Sequence, residues 1–365
     1  LIILILSLFV SLVFISILAS GQQITENDKD PSPSEKVNLY PGDYLDKSFH
    51  KGRREALRKH LSPNSVAIFF ANPVRNRAND VDYLYHQDPD FYYLTGFREP
   101  HAVLLIFSEN HFEEGNTGNK ETIKGYNEII FVQPRNLYME MWTGKMLGIK
   151  GVKNKLGFEK VLPNTAFKDF DIEFKNFAKI LFLNFYNDVR DDKGHEGDLY
   201  SLMVQFRRKI NDIDLENYIW ELNVVMNSLR EIKTKEELQL LGKAIKISAI
   251  GQIEVMKAMH SNMSEAEIQG IHEYVFKKYG AEYEGYPSIV GSGNNGCVLH
   301  YITNNKVKVG NNLVLMDLGA EYRGYTADIT RTIPANGKFS EEQKQIYEIV
   351  YQAQEEAFKS CKKGN

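Results

Sequence analysis

Two cysteines in 365 residues are too few for a disulfide framework, and there is no Cys-x-x-Cys pair to bind zinc or carry out redox exchange. The nine histidines contain no His-Glu-x-x-His, which excludes the helix-borne zinc peptidase pattern. A net charge of −4 argues against a nucleic-acid partner, which would need a basic face. Long apolar sequence is confined to Leu1 to Ala19, a run without charge, initiator methionine or basic flank. Small residues at Ala19-Ser20-Gly21 and a polar Pro-Ser-Pro-Ser stretch follow it. Residues 1–21 are therefore expected to be a signal peptide or an anchor whose true start lies upstream, and 22–43 a linker. The protein is expected to work outside the cytoplasm, periplasmic or secreted.

What remains is an ordinary globular composition, 43% hydrophobic and 12% aromatic, with room for two domains. A basic amphipathic helix over Arg53 to Leu61 leads into strands at Val66–Phe70, Val103–Phe107 and Ile129–Val132. Helix and strand patterns alternate to about Ile210, with a polar insertion over Ser108 to Asn127, so residues 44–220 read as an α/β domain. The segment from Leu222 to Arg230 leads into a second unit over 221–365. In it Thr234-Lys-Glu-Glu237, Ser264-Glu-Ala-Glu267 and Ser340-Glu-Glu-Gln343 are capping boxes, each opening a helix. Leu238, Leu241, Ile245 and Ala249 trace an apolar face on the first of these. His272, on the second, reads as a surface or packing histidine rather than a ligand.

Between the second and third of these helices lies the stretch that carries chemistry. Leu313 to Met316 and Thr326 to Thr332 read as strands joined by a tight turn. A two-residue loop at Tyr322-Arg323 would set Asp317 directly opposite Asp328, and a bulge at Gly324 would make them diagonal neighbours. Two carboxylates aimed at one point need a cation, and hard oxygen donors suit Mn or Mg, with Zn as a further candidate. The plain alternative is two turn-flanking surface aspartates on opposite faces. Upstream, Gly291-Ser-Gly-Asn-Asn-Gly296 has the spacing of a dinucleotide fingerprint, but the Cys-Val-Leu-His-Tyr-Ile that follows does not open a helix for a pyrophosphate. The loop reads instead as backbone packed closely beside a site, with Cys297 as a small buried thiol and His300 at the end of a strand.

The segment Ile-Val-Gly-Ser-Gly-Asn-Asn-Gly-Cys-Val-Leu-His-Tyr, then Met-Asp-Leu-Gly-Ala-Glu-Tyr-Arg-Gly-Tyr-Thr-Ala-Asp-Ile-Thr-Arg-Thr, resembles the pita-bread metallopeptidases of the aminopeptidase P and prolidase branch. Asp82-Tyr-Leu-Tyr-His-Gln-Asp-Pro-Asp-Phe-Tyr-Tyr-Leu-Thr-Gly-Phe-Arg-Glu-Pro100 resembles that branch's N-terminal domain. The resemblance implies an α/β N-terminal domain followed by an incomplete α+β pita-bread domain. It implies two divalent metal ions, Mn first with Zn or Co as alternatives, held by Asp317, by a bridging Asp328, and by a histidine and two glutamates that would follow the last helix. The sequence is therefore expected to be truncated at both ends, to bind metal weakly and to be inactive as it stands.

For the whole protein the resemblance implies release of the N-terminal residue from Xaa-Pro peptides by a hydroxide bridging the metals, with His300 hydrogen-bonding the substrate carbonyl. A prolidase restricted to dipeptides and a non-catalytic binding protein are the alternatives. It also implies a homo-oligomer in which Asp80 and Trp142 lean over a neighbour's active site; read plainly, they are a loop acid and a packing aromatic. Arg230 stands at the entry to the catalytic domain as a substrate-lining candidate or a junction anchor.

Overall fold

The computed structural model describes residues 43–111, 125–183, 185, 187–211 and 218–363. The expected signal peptide, the expected linker up to residue 42, and most of the polar insertion lie outside the described residues. The first domain is a mixed five-stranded sheet. Helix α1 (Lys47–His60) precedes β1 (Ser65–Phe70); a small hairpin, β2 (Asn76–Ala78) and β3 (Val81–Asp82), and helix α2 (Pro89–Thr95) lead to β4 (Val103–His111) and β5 (Tyr126–Val132). Helix α3 (Leu137–Thr143), β6 (Val161–Pro163), β7 (Lys179–Phe182) and helix α4 (Leu199–Lys209) complete it. The strand order is β6-β5-β4-β1-β7, antiparallel in the middle and parallel at each edge.

Both faces of this sheet are covered, which is why its strands read as unbroken apolar runs rather than alternating ones. Ala67, Phe69, Leu104, Ile106 and Ile130 point to one core with Leu57 of α1. Val66, Ile68, Leu105, Ile129 and Phe131 point to the other with Leu202 and Phe206 of α4. Helix α5 (Tyr218–Glu231), which the sequence places at the start of the second unit, buries Leu222 and Met226 in the first of these cores.

The second domain begins with helices α6 (Lys235–Ala258) and α7 (Glu265–Lys278), each opened by the expected capping box with both reciprocal hydrogen bonds formed. Strands β8 (Tyr283–Glu284), β9 (Ile289–Ser292), β10 (Leu313–Leu318), β11 (Ala320–Tyr322), β12 (Tyr325–Thr326) and β13 (Ile329–Pro334) follow, then helix α8 (Glu341–Ser360), also with its capping box. They form two small antiparallel sheets, β13-β10-β9 and β12-β11-β8, joined through the long hairpin β10–β13.

The buried face of α6 is not the one its apolar letters suggest. Leu240, Ala244, Ile247, Ser248, Gly251, Gln252 and Val255 are buried, whereas Leu238 and Ile245 are exposed. Polar residues on this face bond the sheet directly. The Ser248 hydroxyl accepts from the Ala320 N–H at 2.8 Å. The Gln252 amide donates to the carbonyls of Met316 and Ile329 at 3.3 and 3.2 Å, tying β10 and β13 to the helix.

Candidate metal centre

Asp317 and Asp328 are brought together by a register two residues from the one that would set them face to face. Asp317 pairs with Thr330, and Tyr322 pairs with Tyr325, so the loop is Arg323-Gly324. Both loop residues have left-handed backbone, φ 54° and 82°, the type I′ geometry that matches strand twist. Centring the turn there puts glycine, rather than Tyr322, at one of the two left-handed positions. The aspartates therefore become diagonal neighbours on one face, and this removes the direct opposition of like charges.

They nevertheless converge. The Tyr286 hydroxyl lies 2.5 Å from an Asp317 carboxylate oxygen and 3.2 Å from an Asp328 one. Burial, and then the two carboxylates, push the Tyr286 phenol far above its ordinary value, so it remains a donor between them. Asp317 is half-buried and Asp328 exposed. Two carboxylates with oxygens around one small volume fit a hard divalent cation as part of its donor set. Among the described residues no group of three or more His, Cys, Asp or Glu gathers into a metal site.

Gly319 sets the spacing of the hairpin at this point. A Cβ there would stand 1.6 Å from the Ala327 carbonyl oxygen, so only glycine allows β11 to leave β10 beside Asp328. On the neighbouring strand, Gly291 and Gly296 touch. A Cβ on Gly291 would meet the Gly296 Cα and N at 2.7 Å, and one on Gly296 would stand 3.5 Å from the Leu315 Cβ. Leu315 shares a sheet face with Asp317, so the glycine loop folds over the face that carries the carboxylates. It is backbone close-packing, as its sequence suggests, in a short 3-10 turn over Gly293–Cys297.

The structure corrects three readings here. His300 is in an exposed turn rather than at the end of a strand, because β9 already ends at Ser292. Cys297 is exposed, not a buried thiol. Trp142, on α3 beside the exposed Leu137, Tyr138 and Met141, is 74% exposed and packs in no core. Asp80 lies in the exposed turn of the β2–β3 hairpin. Arg230 donates to Asp90 of α2 at 2.8 Å and also lines a cleft of about 1620 Å³ between the domains. Neither Asp80 nor Trp142 lines it, whereas Tyr286 does.

Across this cleft the domains are tied by groups that sequence reasoning missed. Glu282 accepts from Arg98 of the first domain at 2.8 Å and from Arg323 of the β10–β13 hairpin at 2.9 Å, with the Tyr44 hydroxyl at 2.9 Å. Burial raises the Glu282 pKa, but the two guanidiniums win and hold it below the usual carboxylate range. His86 hydrogen-bonds Glu321 at 2.8 Å, and this bond, against burial, raises its pKa. The Tyr92 hydroxyl donates to the Arg323 carbonyl at 3.3 Å. Each of these contacts that crosses between the domains joins residues 184 or more apart in sequence, and Tyr286 is one of 20 tyrosines; neither leaves a local pattern to find.

Residues 50–179 match the aminopeptidase P N-terminal domain and residues 239–365 match metallopeptidase family M24. The chain is 33% identical over 317 residues to the Xaa-Pro aminopeptidase of Escherichia coli (strain K12), covering 86% of this chain and 67% of that one. It is 32% identical over 321 residues to the Xaa-Pro aminopeptidase of Haemophilus influenzae, covering 88% and 68%. The solved structure of Escherichia coli aminopeptidase P with the inhibitor Pro-Leu aligns with a TM-score of 0.69 at 30% identity, over 85% of this chain and 67% of that one. Proline aminopeptidase P II from Yersinia pestis aligns with a TM-score of 0.69 at 29% identity, over 86% and 68%. An α/β aminopeptidase P N-terminal domain is thus followed by a pita-bread domain, in a family whose members use divalent metal ions. The chain belongs to metallopeptidase family M24 and is a metallopeptidase of the Xaa-Pro aminopeptidase type.

Proposed function

We propose that the protein releases the N-terminal residue from peptides with proline in second position, using two Mn ions held in part by Asp317 and Asp328. The convergence of both carboxylates on the Tyr286 hydroxyl oxygen carries this reading. Bound divalent cations supply Lewis acidity and bring the pKa of water toward neutrality. The chain's own residues supply the rest. Asp317, on a strand paired on both sides, and Asp328, beside Gly319, present fixed negative charge. Tyr286 orients the two carboxylates before any cation arrives. His300, exposed on the glycine-loop side, donates to the scissile carbonyl oxygen as it gains charge. Peptide reaches the site from the interdomain cleft, where Tyr286 forms part of the wall. The Xaa-Pro bond has no N–H and its proline φ is fixed, so a dedicated pocket is needed where a general peptidase would rely on that donor.

Asp328→Asn tests the assignment. It keeps the shape of the side chain, and should abolish turnover and lower metal stoichiometry without unfolding the first domain. Near-normal turnover would remove Asp328 from the site.

A further inference from the structure

The loop from Ser292 to Lys306 holds His300 without a hydrogen bond to its ring among the described residues, so its position depends on how the chain on either side is fixed. One side chain fixes both sides. Glu265, the first residue of α7, is completely buried. One of its carboxylate oxygens accepts from the Ser292 N–H at 2.8 Å and the Asn295 amide at 3.0 Å. The other accepts from the Tyr301 hydroxyl at 2.8 Å and the Lys306 N–H at 2.9 Å. Its own N–H donates to the Lys306 carbonyl at 3.0 Å. The Asn295 amide also reaches the Tyr301 oxygen at 2.8 Å, which closes the loop on itself. Thus all four groups held by the carboxylate lie on the loop, two before His300 and two after it.

A buried carboxylate with four donors is far from the minimum needed to start a helix, which Ser264 already caps. A wholly apolar packing at this point would hold the helix but would not fix the loop's register, since only directional bonds to both arms do that. We propose that Glu265 is a positioning residue for catalysis, holding the Gly293–Lys306 loop so that His300 meets the substrate carbonyl. This rests on the role given to His300 above. Glutamine at 265 would keep the volume but turn one acceptor oxygen into a donor, so that two of the four loop donors would face another N–H.

The test is a double-mutant cycle in the full-length, metal-loaded protein with an Xaa-Pro peptide, run beside amide hydrogen exchange. Glu265→Gln should lower kcat by about ten- to a hundredfold, the scale of a reacting group misplaced by about 1 Å, with KM changed by less than about threefold. In a His300→Ala background the same change should lower kcat by less than about twofold, because the group it positions is gone. Exchange at the Ser292 and Lys306 amides should quicken at least about tenfold while the α6 amides stay unchanged. Tyr301→Phe leaves the Glu265 carboxylate in place, removes the hydroxyl that bonds it together with that hydroxyl's bonds to Asn295 and Asn305, and serves if the glutamine variant does not fold; it should shift kcat in the same direction and lose the effect in the same background. An unchanged kcat in both variants, or an equal fall with and without His300, overturns the proposal. If His300→Ala itself leaves kcat unchanged, it is the role of His300 that fails. The exchange rates then still decide whether Glu265 fixes the loop, and unchanged exchange would overturn that too.

Discussion

Replacing Gly319 with alanine should disrupt the β10–β13 hairpin. The new Cβ would stand 1.6 Å from the Ala327 oxygen and 2.5 Å from its carbonyl carbon, and real Cβ atoms are essentially never found below 3.0 Å. One strand must therefore move by about 1.4 Å, the difference between those two distances. Both atoms in the clash belong to backbone, so no side-chain rotation relieves it. The movement strains the Ala327 N–H to Ala320 carbonyl bond, 3.0 Å long, and the Gly285 N–H to Gly319 carbonyl bond, 2.8 Å long. Overpacking of about 1–3 kcal/mol and about 1 kcal/mol for a weakened ladder bond give a loss of roughly 2–4 kcal/mol. Asp328 moves with the strand, several times further than the tolerance of about 0.2 Å on a metal–ligand distance, so divalent-cation affinity should fall as well. Urea unfolding and Mn titration of the variant read the two effects. Gly270→Ala is the control: it is exposed within α7 with nothing within 4 Å of the new Cβ, and should stabilise by up to about 1 kcal/mol. A Gly319→Ala protein within about 0.5 kcal/mol of the parent, with unchanged Mn affinity, would refute the steric argument.

Three further outcomes are expected. His272 is fully buried with neither ring nitrogen bonded among the described residues, and burial lowers its pKa from 6.5 to about 4. The unfolded chain then takes up this proton at higher pH than the folded one, so stability should fall as pH drops from 6.5 toward 4. The fall should be about 2–3 kcal/mol by pH 4.5, and His272→Leu should flatten that share of the urea-unfolding pH profile. Glu282→Gln leaves Arg98 and Arg323 sharing a neutral partner across the domain junction; a loss of about 2 kcal/mol is expected in urea unfolding, and a loss below about 0.5 would show that the junction does not depend on this pair. Tyr286→Phe removes the donor between Asp317 and Asp328, and should weaken Mn binding by about ten- to a hundredfold in calorimetry with little change in stability.

Much of the architecture could be read from local sequence because it is locally determined. The three capping boxes satisfy their own helix N-termini, so Thr234, Ser264 and Ser340 identify helices without tertiary information. The covered strands of the first domain were legible for the same reason, as short apolar runs. Where closeness decided, letters misled. The inner face of α6 mixes Leu240, Ile247 and Val255 with Ser248 and Gln252, which bond the sheet, and with Gly251, which packs on His272 and Phe276 of α7, so the apolar stripe through Leu238 and Ile245 pointed to the wrong side. The closeness of Asp317 and Asp328 was legible from the hairpin spacing, but their register depended on Arg323 accepting a left-handed backbone, which composition does not announce. The strand expected to end at His300 is absent, since Glu265 holds that segment as an ordered loop from 27 to 41 residues away. Tyr286 and the Glu282 cluster were missed altogether, being products of the fold rather than of any short motif.

The most direct test of the account is to incubate the full-length protein with Mn and peptides that differ only in the second residue, and to identify the products by mass spectrometry. Peptides of two to five residues with proline in second position should lose their first residue, those with alanine there should be left intact, and Asp328→Asn should abolish the reaction. Cleavage confined to dipeptides would indicate a prolidase instead, and equal cleavage of the alanine peptides, or full activity in Asp328→Asn, would contradict the central claim.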